Sequence, residues 1–417
     1  MNESFWYGKR VLITGVDGFV GPYLAEYLLA MGAKVTGQIR RRADGRYPQS
    51  LIERRVALQI QLVEADLNDI YSVASVLDSS RPEIIFHLAS QSFVAHSFAQ
   101  PIETFMVNTM GTASLLEVVR VKKLEPVIVF AGSSEEYGLV FVSEADYSEA
   151  KRRYGVIHPE PKIIPELPIT EEQPLRPMSP YAVSKVHGEL LMHNYRQAYG
   201  LRTVVSRGFN HEGAGRGQMF VTSEITRQVM RVKLGEADRI VIGNVNAFRD
   251  WSHVKDIVRG YCMLAEKGVP GDVYNQGSMR TNSVLTYILL SLETVGYRVR
   301  RIFTPKSGKE VIDPTQKDTE PFLGVSFEKT KIDRLLLQRR VEFTLGDTMI
   351  VADTDGGEVI IQFDENRFRK AEVPILLCDS SKIQAIGFTI QHSLGSIIQD
   401  QLNYYLSEEK RKAVTTR

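Results

Sequence analysis

The sequence predicts an α/β fold in which a parallel sheet carries helices on both faces. Short apolar runs, such as residues 11–13 and 84–89, are typical of strands that are buried in a parallel sheet. Segments with apolar residues at helical spacing, such as residues 22–31, follow these runs. This alternation of strands and helices along the first half of the chain indicates a doubly wound sheet of the Rossmann type.

A glycine-rich turn joins the first predicted strand to the helix that follows it. Gly15 allows the tight turn, Gly18 leaves room for a pyrophosphate near the backbone, and Gly21 lets the helix pack closely on the strand. The helix N-terminus, beside Phe19 and Val20, offers free N–H groups to phosphates. The turn therefore predicts dinucleotide binding, and the alternative is a plain βαβ crossover.

The second predicted strand ends in a basic loop. An NAD site needs an acidic residue at the end of this strand to bind the ribose hydroxyls. The chain has no acidic residue there, and Arg40, Arg41 and Arg42 follow directly. Arginine side chains suit a 2′-phosphate, so the loop favours NADP over NAD. The alternative is a solvated basic loop without a ligand.

Polar residues also follow the third and fourth predicted strands, and ligands of open parallel sheets bind beyond strand ends of this kind. Asp66 either meets the adenine or caps the next helix. Ser90 and Ser92 make the loop after the fourth strand a candidate site. We expect the cofactor to contact three neighbouring apolar residues as well: Leu67, Leu88 and Ala89.

The 417 residues suffice for two or three lobes. We expect a Rossmann-type domain over residues 1–205, with an insertion rich in charge and proline at 139–170 and a helix at 181–199. Residues 206–417 are expected to form mainly a smaller α/β substrate lobe, from which some segments return to the first domain. A β-rich insertion is predicted within this lobe at about residues 308–362.

Three apolar or alternating runs carry the prediction of the β-rich insertion: residues 341–343, 349–352 and 358–363. The turn residues DTDGG join the last two runs, which predicts a hairpin or meander. A last helix is predicted over residues 393–412.

Composition narrows the class of protein. A net charge of +1 gives no reason to expect nucleic acid or an anionic membrane as a partner. The two cysteines, Cys262 and Cys378, form neither a disulfide framework nor a recognisable metal site. The chain has no apolar stretch of transmembrane length and no signal peptide at its N-terminus, so we expect a cytoplasmic protein.

Tyr181 and Lys185 stand four residues apart at the start of a predicted helix, so they share one face. Ser133 or Ser134, at the end of the fifth predicted strand, completes a proton-transfer set. A tyrosine pKa of about 10 must fall for the phenol to act as a base, and we expect the ammonium of Lys185 to lower it. Such a set suits hydride transfer between a secondary alcohol and a nicotinamide.

The motifs together resemble one family, the extended short-chain dehydrogenase/reductases of the NAD-dependent epimerase/dehydratase type, which act on nucleotide sugars. Within it the chain is similar to the GDP-mannose 4,6-dehydratases and the GDP-4-keto-6-deoxymannose reductases. The resemblance covers residues 8–300 and resumes near 363–400. Its motifs are GVDGFVG, FHLASQSFVAHSF, NTMGT, GSSEEYG, RPMSPYAVSK, FNHEGAGRGQMFVTSEIT, GNVNAFRDWSHVKD and RFRKAEVPILLCD.

The resemblance implies a catalytic set of Ser133, Glu135, Tyr181 and Lys185, with NADP as cofactor. In the dehydratases, C4 is oxidised to a ketone, water is eliminated across C5–C6, and the hydride returns to C6. Glu135 matches the residue that removes the C5 proton, or else it is a strand-end residue with a local role. The alternatives are a 4-keto reductase, a nucleotide-sugar 4-epimerase, or a nucleotide-sugar or NADP(H)-binding regulator without turnover.

The resemblance also implies where the nucleotide sugar, expected to be GDP-linked, binds. Guanidinium groups suit pyrophosphate, and a carboxylate suits the guanine N–H edge. Arg249 and Arg369 form structural ion pairs if they do not bind the ligand. The family resemblance further implies a homodimer or homotetramer. The matched substrate-binding positions are Ser90, Ser92, Asn210, Arg216, Val221, Arg249, Arg369 and Glu372.

Overall fold

A main sheet of seven strands organises the first part of the chain in a computed structural model, which describes residues 3–368 and 373–412. Each strand is parallel to its neighbours, and the spatial order is Val273–Gln276, Arg202–Gly208, Val127–Ala131, Ile84–His87, Arg10–Thr14, Lys34–Ile39 and Gln61–Glu64. The strand order reverses between Arg10–Thr14 and Ile84–His87, and ligands of such sheets bind beyond this reversal. The predicted α/β class with a doubly wound, Rossmann-type sheet is confirmed.

Helices cover both faces of the main sheet. On one face Val20–Ala30, called the first helix below, and Val254–Lys267 share an apolar core with the strands. On the other face a second apolar core joins the sheet to Ile70–Ser80, Gly111–Val121 and Pro180–Tyr199. We call Pro180–Tyr199 the central helix.

The bounds of the central helix follow from local chemistry, and the prediction of a helix at 181–199 is confirmed. The Ser179 side chain accepts a hydrogen bond from the backbone N–H of Ala182 at 3.1 Å, and Pro180 occupies the first turn. Gly200 ends the helix in the left-handed conformation, with φ of +75°. Tyr181 and Lys185 therefore lie in the first two turns of a firmly capped helix.

A second, five-stranded sheet lies in the smaller lobe. Its spatial order is Glu310–Ile312, Val299–Phe303, Met349–Thr354, Gly357–Phe363 and Arg239–Ile242. The predicted hairpin of the last insertion strands is present, with Met349–Thr354 antiparallel to Gly357–Phe363. The division of the chain at residue 205 stays a prediction, and strand Arg202–Gly208 of the main sheet spans that position.

The predicted strand at residues 341–343 is wrong. The Asn246 side chain accepts a hydrogen bond from the N–H of Phe343 at 3.0 Å and donates one to its carbonyl at 2.7 Å. These bonds satisfy the backbone of Phe343 without a neighbouring strand. The place beside Met349–Thr354 is taken by Val299–Phe303, which the sequence analysis did not assign.

The insertion at 139–170 packs onto the rest of the chain. Its helix, Glu144–Tyr154, starts at Ser143, whose side chain accepts the N–H of Asp146 at 3.2 Å. Farther along, Glu166 forms a buried two-pronged ion pair with Arg176, with both N···O distances at 2.8 Å. This pair fixes the insertion to the segment that leads into the central helix.

The predicted C-terminal helix at 393–412 is interrupted. It forms Leu394–Tyr404 and Glu408–Lys412, because the guanidinium of Arg411 donates hydrogen bonds to the carbonyl oxygens of Tyr405 and Leu406. Within residues 3–368 and 373–412, no helix has the length and apolarity that crossing a membrane requires.

The remaining elements are short or lie around the two sheets. The other α-helices are Glu3–Trp6, Gln49–Glu53, Val94–Ala99, Pro101–Phe105, Val221–Lys233, Val284–Thr294, Lys331–Leu337 and Ser381–Ala385. Met106–Met110 is a π-helical turn, and Ser134–Glu136, Leu345–Asp347 and Glu365–Arg367 are 3-10 turns. The two-stranded sheets pair Asn210–Glu212 with Trp251–His253, Phe248–Arg249 with Asn282–Ser283, and Lys317–Asp318 with Lys329–Thr330.

Candidate active site

The glycine turn lies at the point where the strand order of the main sheet reverses. Gly15 has φ of +66°, and a Cβ there would lie 2.7 Å from the Cα of Ala89. A Cβ on Gly21 would lie 2.3 Å from the carbonyl oxygen of Val16. Neither position accepts a side chain, so both glycines are needed for the tight turn and for the close packing of the helix that follows.

The N-terminus of the first helix is ready for an anion. Phe19 occupies the capping position and makes no hydrogen bond to the N–H groups of the first turn, which Val20 begins. Gly18 is exposed at the tip of the turn. Open N–H groups at a helix start, next to a glycine tip, fit the pyrophosphate of a dinucleotide.

Gln38 holds the glycine turn in place, although this residue was not predicted from the sequence to belong to the site. Its Oε1 accepts the N–H of Gly15 at 3.1 Å, and its Nε2 donates to the carbonyl of Ala65 at 2.6 Å. A polar residue near the end of an otherwise apolar strand could have indicated this role in the sequence. Gln38 thus links the turn to the loop after the third strand.

Asp66 does not cap the helix that follows it. Its Oδ1 accepts the N–H of Asn68 at 2.9 Å and closes a local turn. The cap of helix Ile70–Ser80 is Asp69, which accepts the N–H of Tyr71 at 3.0 Å. The second oxygen of Asp66 is left for the other proposed role, a contact to the cofactor.

The basic loop after the second strand separates its three arginines. Arg42 forms a two-pronged pair with Asp44, at 3.3 Å and 3.0 Å. Arg40 and Arg41 are exposed. Two of the three guanidinium groups therefore remain accessible to a phosphate.

The loop after the fourth strand is tethered by Asn108, which lies in the π-helical turn. Its Oδ1 accepts the N–H of Gln91 at 2.8 Å, and its Nδ2 donates to the Gln91 carbonyl at 3.0 Å and to Ser184 Oγ at 2.8 Å. The loop is thereby fixed to the central helix. Ser90 is half-buried within it and Ser92 is exposed.

The three apolar residues that are predicted to contact the cofactor differ in how exposed they are. Leu67 is buried and lies 3.1 Å from the position that a Cβ on Gly111 would take. Leu88 and Ala89 are half-buried where the fourth strand ends. The structure thus leaves Leu88 and Ala89 more accessible to a ligand than Leu67.

Ser133 and Tyr181 lie close together beyond the end of the fifth strand, near enough for the Ser133 side chain to stabilise the Tyr181 phenolate. The Nζ of Lys185 lies 5.9 Å from the centre of the Tyr181 ring and donates to the carbonyl of Ala131 at 2.7 Å. Ser133, Tyr181 and Lys185 are all buried. Glu135 is half-buried, and its backbone N–H donates to Ser133 Oγ at 3.2 Å.

Burial moves the pKa values of Tyr181 and Lys185 in opposite directions. It raises the pKa of Tyr181 to about 12, against the lowering effect of the Ser133 side chain. It lowers the pKa of Lys185 to about 8. The expected lowering of the Tyr181 pKa by Lys185 is therefore wrong for this structure, since the ammonium donates to Ala131 and burial disfavours the phenolate.

Glu136, the residue after Glu135, is fully buried, and the sequence analysis did not single it out. Its Oε1 accepts the backbone N–H of Ser133 at 2.6 Å. The signal in the sequence was a second acidic residue in GSSEEYG, directly after an apolar strand. This carboxyl group is a direct neighbour of the proton-transfer set.

Arg216 lies between two aromatic rings. Its guanidinium carbon is 4.9 Å from the ring centre of Phe19 and 3.4 Å from that of Phe220. Its Nε is 3.5 Å from Glu212 Oε2. Val221 begins the next helix, whose capping position has no side-chain hydrogen bond. The glycine turn and the segment from 209 to 221 thus meet through Phe19.

Two further candidate side chains come from the same segment as Arg216. The imidazole of His211 stacks on Phe19, with 6.3 Å between ring centres and 10° between planes. The Oδ1 of Asn210 is buried and has no hydrogen-bond partner among the described residues. Since buried polar atoms are normally paired, this oxygen fits a ligand donor.

Arg249 is buried and contacts Val373, next to the segment that is expected to bind the nucleotide. Its Nη1 donates to the carbonyl oxygens of Phe248 at 2.8 Å and Val373 at 2.7 Å. Val373 follows the segment that contains Arg369 and Glu372, and these two residues lie outside the described ranges.

Comparisons with known proteins place the chain in a family. The pattern of the NAD dependent epimerase/dehydratase family matches residues 11–277. A GDP-mannose 4,6-dehydratase of Vibrio cholerae is 32% identical over 97% of this chain and 96% of its own length. One from Yersinia enterocolitica is 31% identical over 97% of this chain and 96% of its own.

Solved structures share the fold at lower identity. RMD from Pseudomonas aeruginosa, in complex with NADPH, has a TM-score of 0.64 and 23% identity, and the match covers 95% of this chain and 98% of that chain. UDP-glucose 4-epimerase from Thermus thermophilus, in complex with NAD, has a TM-score of 0.65 and 21% identity over 97% of this chain and 100% of its own. The chain is thus an enzyme of the NAD dependent epimerase/dehydratase family, similar to GDP-mannose 4,6-dehydratases.

Proposed function

We propose that this enzyme is an NADP-dependent GDP-mannose 4,6-dehydratase, which forms GDP-4-keto-6-deoxymannose. One observation carries the proposal: Ser133, Tyr181 and Lys185 meet beside Glu135 in a chain with full-length relatives named for this reaction. The names of those relatives indicate the substrate, and the side chains of the site account for the chemistry.

In the oxidation step, Ser133 and Tyr181 act on the C4 hydroxyl of the sugar. Ser133 orients the oxygen, and Tyr181 accepts its proton. With a pKa of about 12, Tyr181 is a neutral phenol at pH 7. We infer that Tyr181 first loses its own proton to solvent, which the positive charge of a bound oxidised nicotinamide would favour. The phenolate then accepts the hydroxyl proton as C4 becomes a ketone. A bound nicotinamide would accept the C4 hydride and later return it to C6.

In the elimination step, Glu135 acts as the base. The C4 ketone makes the C5 proton acidic. The carboxylate removes this proton and passes it to the C6 hydroxyl, which leaves as water. Glu135 suits this role because it is half-buried and lies two residues from Ser133. Reduction at C6 and protonation at C5 complete the 6-deoxy sugar, so the net change is the loss of one water.

The nucleotide end of the substrate is assigned to the segment that meets Phe19. We propose that Arg216 pairs with the pyrophosphate and that Asn210 Oδ1 accepts a hydrogen bond from the ligand. The open N-terminus at Val221 would support the pyrophosphate. Ser90 and Ser92 would contact the sugar.

The cofactor is assigned to the glycine turn and the basic loop. We propose that the pyrophosphate of NADP binds at the first helix and that its 2′-phosphate binds Arg40 and Arg41. The pairing of Arg42 with Asp44 makes Arg42 the weakest of the three candidates.

We also propose a homodimer or homotetramer. Apolar side chains are exposed on the central helix and on the helical segment 101–110 that packs against it. These side chains are Ile102, Met106, Met110, Val183 and Leu190. Replacement Leu190→Glu should lower the molar mass measured by light scattering, and an unchanged mass would remove this surface from consideration.

The function is tested by incubating the purified protein with GDP-mannose and no added cofactor. A dehydratase recycles its bound cofactor, so we expect a product that lacks one water by mass spectrometry. A 4-keto reductase would leave the mass unchanged and would oxidise NADPH only with a keto sugar. The second outcome would contradict the proposal.

A further inference from the structure

Glu136 contacts the loop that carries Ser133, but the proposed mechanism gives this carboxyl group no role. Its Oε1 accepts the N–H of Ser133 at 2.6 Å. A Cβ on Gly132 would lie 2.8 Å from the same oxygen, so the carboxyl group packs tightly against the loop backbone. The loop that carries Ser133 is thus built around the Glu136 side chain.

The second oxygen of Glu136 has no hydrogen-bond donor among the described residues. Oε2 is buried, and the nearest guanidinium nitrogen, Nε of Arg207, is 4.0 Å away. That nitrogen donates instead to Glu189 at 2.8 Å, and Nη2 of Arg207 donates to Glu189 at 2.6 Å. The remaining Nη1 donates to the Tyr137 hydroxyl at 2.8 Å and the Glu171 carbonyl at 3.0 Å.

The charges of this buried cluster do not balance if both carboxyl groups are ionised. Glu136, Glu189 and Arg207 are each at most 5% exposed. Two anions beside Arg207 would leave one negative charge without a hydrogen-bonded cation in a buried site, which is costly. The ammonium of Lys185 is also near, but it donates to the carbonyl oxygen of Ala131 and not to Glu136. Because Nε and Nη2 of Arg207 both donate to Glu189, the proton that restores the balance belongs on Glu136.

The groups that face Glu136 agree with this assignment. Burial and the neighbouring Glu189 raise the pKa of Glu136 well above its usual range, against the opposing effect of Arg207. Burial works against ionisation of Glu189 as well, but hydrogen bonds from Arg207 lower its pKa to about 2. The other titratable neighbours are Lys185 and Tyr181 on the central helix.

We propose that Glu136 is a positioning residue that works as a neutral carboxylic acid. One oxygen holds the backbone of Ser133, and the protonated oxygen donates a hydrogen bond to Glu189. Arg207 completes the set by holding Glu189 in the ionised form. The role of Ser133 in turnover rests on the proposed function, whereas the protonation of Glu136 does not.

Two replacements separate the positioning role from simple packing. Glu136→Gln keeps an acceptor for Ser133 and a donor for Glu189, so we expect kcat within about threefold of wild type. Glu136→Leu leaves the Ser133 N–H without a partner, so we expect kcat to fall about 10- to 100-fold with KM little changed. Glu125→Gln and Glu125→Leu, at an exposed position, are the matched controls.

The pH profile of kcat distinguishes a neutral Glu136 from an ionised one. A neutral acid and its amide carry the same charge, so Glu136→Gln should leave the profile in place. If Glu136 were an anion, its loss would lower the pKa of Lys185 further and displace the profile toward acid. Such a displacement, or equal kcat values for the Gln and Leu variants, would overturn the proposal.

Infrared spectroscopy of the ligand-free enzyme tests the protonation directly. The carbonyl stretch of a protonated carboxyl group should be present in wild type at pH 7 and absent from Glu136→Gln. Absence of this band from wild type overturns the proposal. The measurement needs no substrate and no Leu variant, so its outcome is independent of folding defects in that variant and of the dehydratase assignment.

Discussion

Lys185 donates a hydrogen bond to the carbonyl oxygen of Ala131 at 2.7 Å, where strand Val127–Ala131 ends. This bond ties the central helix to the strand that leads into Ser133. It holds Tyr181, one helical turn away, against Ser133. The central helix and this strand therefore determine the geometry of the proton-transfer set.

Replacement Tyr181→Phe should abolish proton transfer while the fold is kept. We expect kcat to fall about 10²- to 10⁴-fold, the range typical of a lost general acid or base. NADPH binding, measured by fluorescence titration, should remain. Tyr195→Phe is the control, since Tyr195 lies on the same helix and its hydroxyl bonds to Glu117. Turnover that survives Tyr181→Phe would show that another group moves the proton.

Replacement Glu135→Gln should separate oxidation from elimination. We expect water loss from GDP-mannose to slow about 10²- to 10⁴-fold, because the amide cannot remove the C5 proton. Absorbance of the reduced nicotinamide should then rise on addition of GDP-mannose, since C4 oxidation precedes elimination. Glu149→Gln, at an exposed position of the insertion, should behave as wild type. A normal rate of water loss in Glu135→Gln would rule out the base role.

The arginine loop should set the choice between NADP and NAD. We expect Arg40→Ser and Arg41→Ser each to weaken NADPH binding about 10- to 100-fold, as the loss of a charge-assisted hydrogen bond implies. NADH binding should change little. Arg42→Ser is the internal control, because Arg42 is paired with Asp44. Calorimetric titration measures all three, and equal effects on both cofactors would contradict a 2′-phosphate contact.

Acid stability should depend on His87. This imidazole is buried between Thr14, at 2.8 Å, and Thr112, at 2.9 Å. Burial, helped by Lys185, lowers its pKa to about 3. Between pH 6.5 and about 3, His87 is protonated in the unfolded chain but not in the folded chain. The unfolding free energy therefore falls by about 1.4 kcal/mol for each pH unit of acidification.

Replacement His87→Gln removes this dependence. Urea unfolding at a series of pH values should give a shallower acid limb for His87→Gln than for wild type, whatever the stability of the variant at pH 7. His187→Gln, at an exposed position, should keep the wild-type slope. Parallel limbs for His87→Gln and wild type would mean that His87 takes up its proton in the folded chain.

The sequence predicted those parts of the fold that local chemistry determines. The central helix has its cap, Ser179, next to Pro180 at its start, and Gly200 directly follows its last residue. The strand Val299–Phe303 was missed because its place depends on Met349–Thr354, which is distant in sequence. Residues 341–343 have strand-like composition, yet the side chain of Asn246 takes their backbone bonds.

In the candidate site, too, the features that depend on neighbouring residues in the chain were predictable. The glycine turn and the spacing of Tyr181 and Lys185 are visible in the sequence, and the structure brings both toward the strand ends. The direction of the Tyr181 pKa was not visible, because it depends on burial and on what Lys185 contacts. Glu136 was missed for a related reason, since its environment is made by Glu189 and Arg207 from other elements.

The central claim, that hydride taken from C4 returns to C6 of the same sugar, is tested most directly by isotope transfer. The enzyme would be incubated with GDP-mannose that carries deuterium at C4, without added cofactor, and the product examined by NMR and mass spectrometry. We predict a product that lacks one water and carries the deuterium at C6. Deuterium that stays at C4 in an epimerised sugar, or an unchanged substrate, would contradict the account.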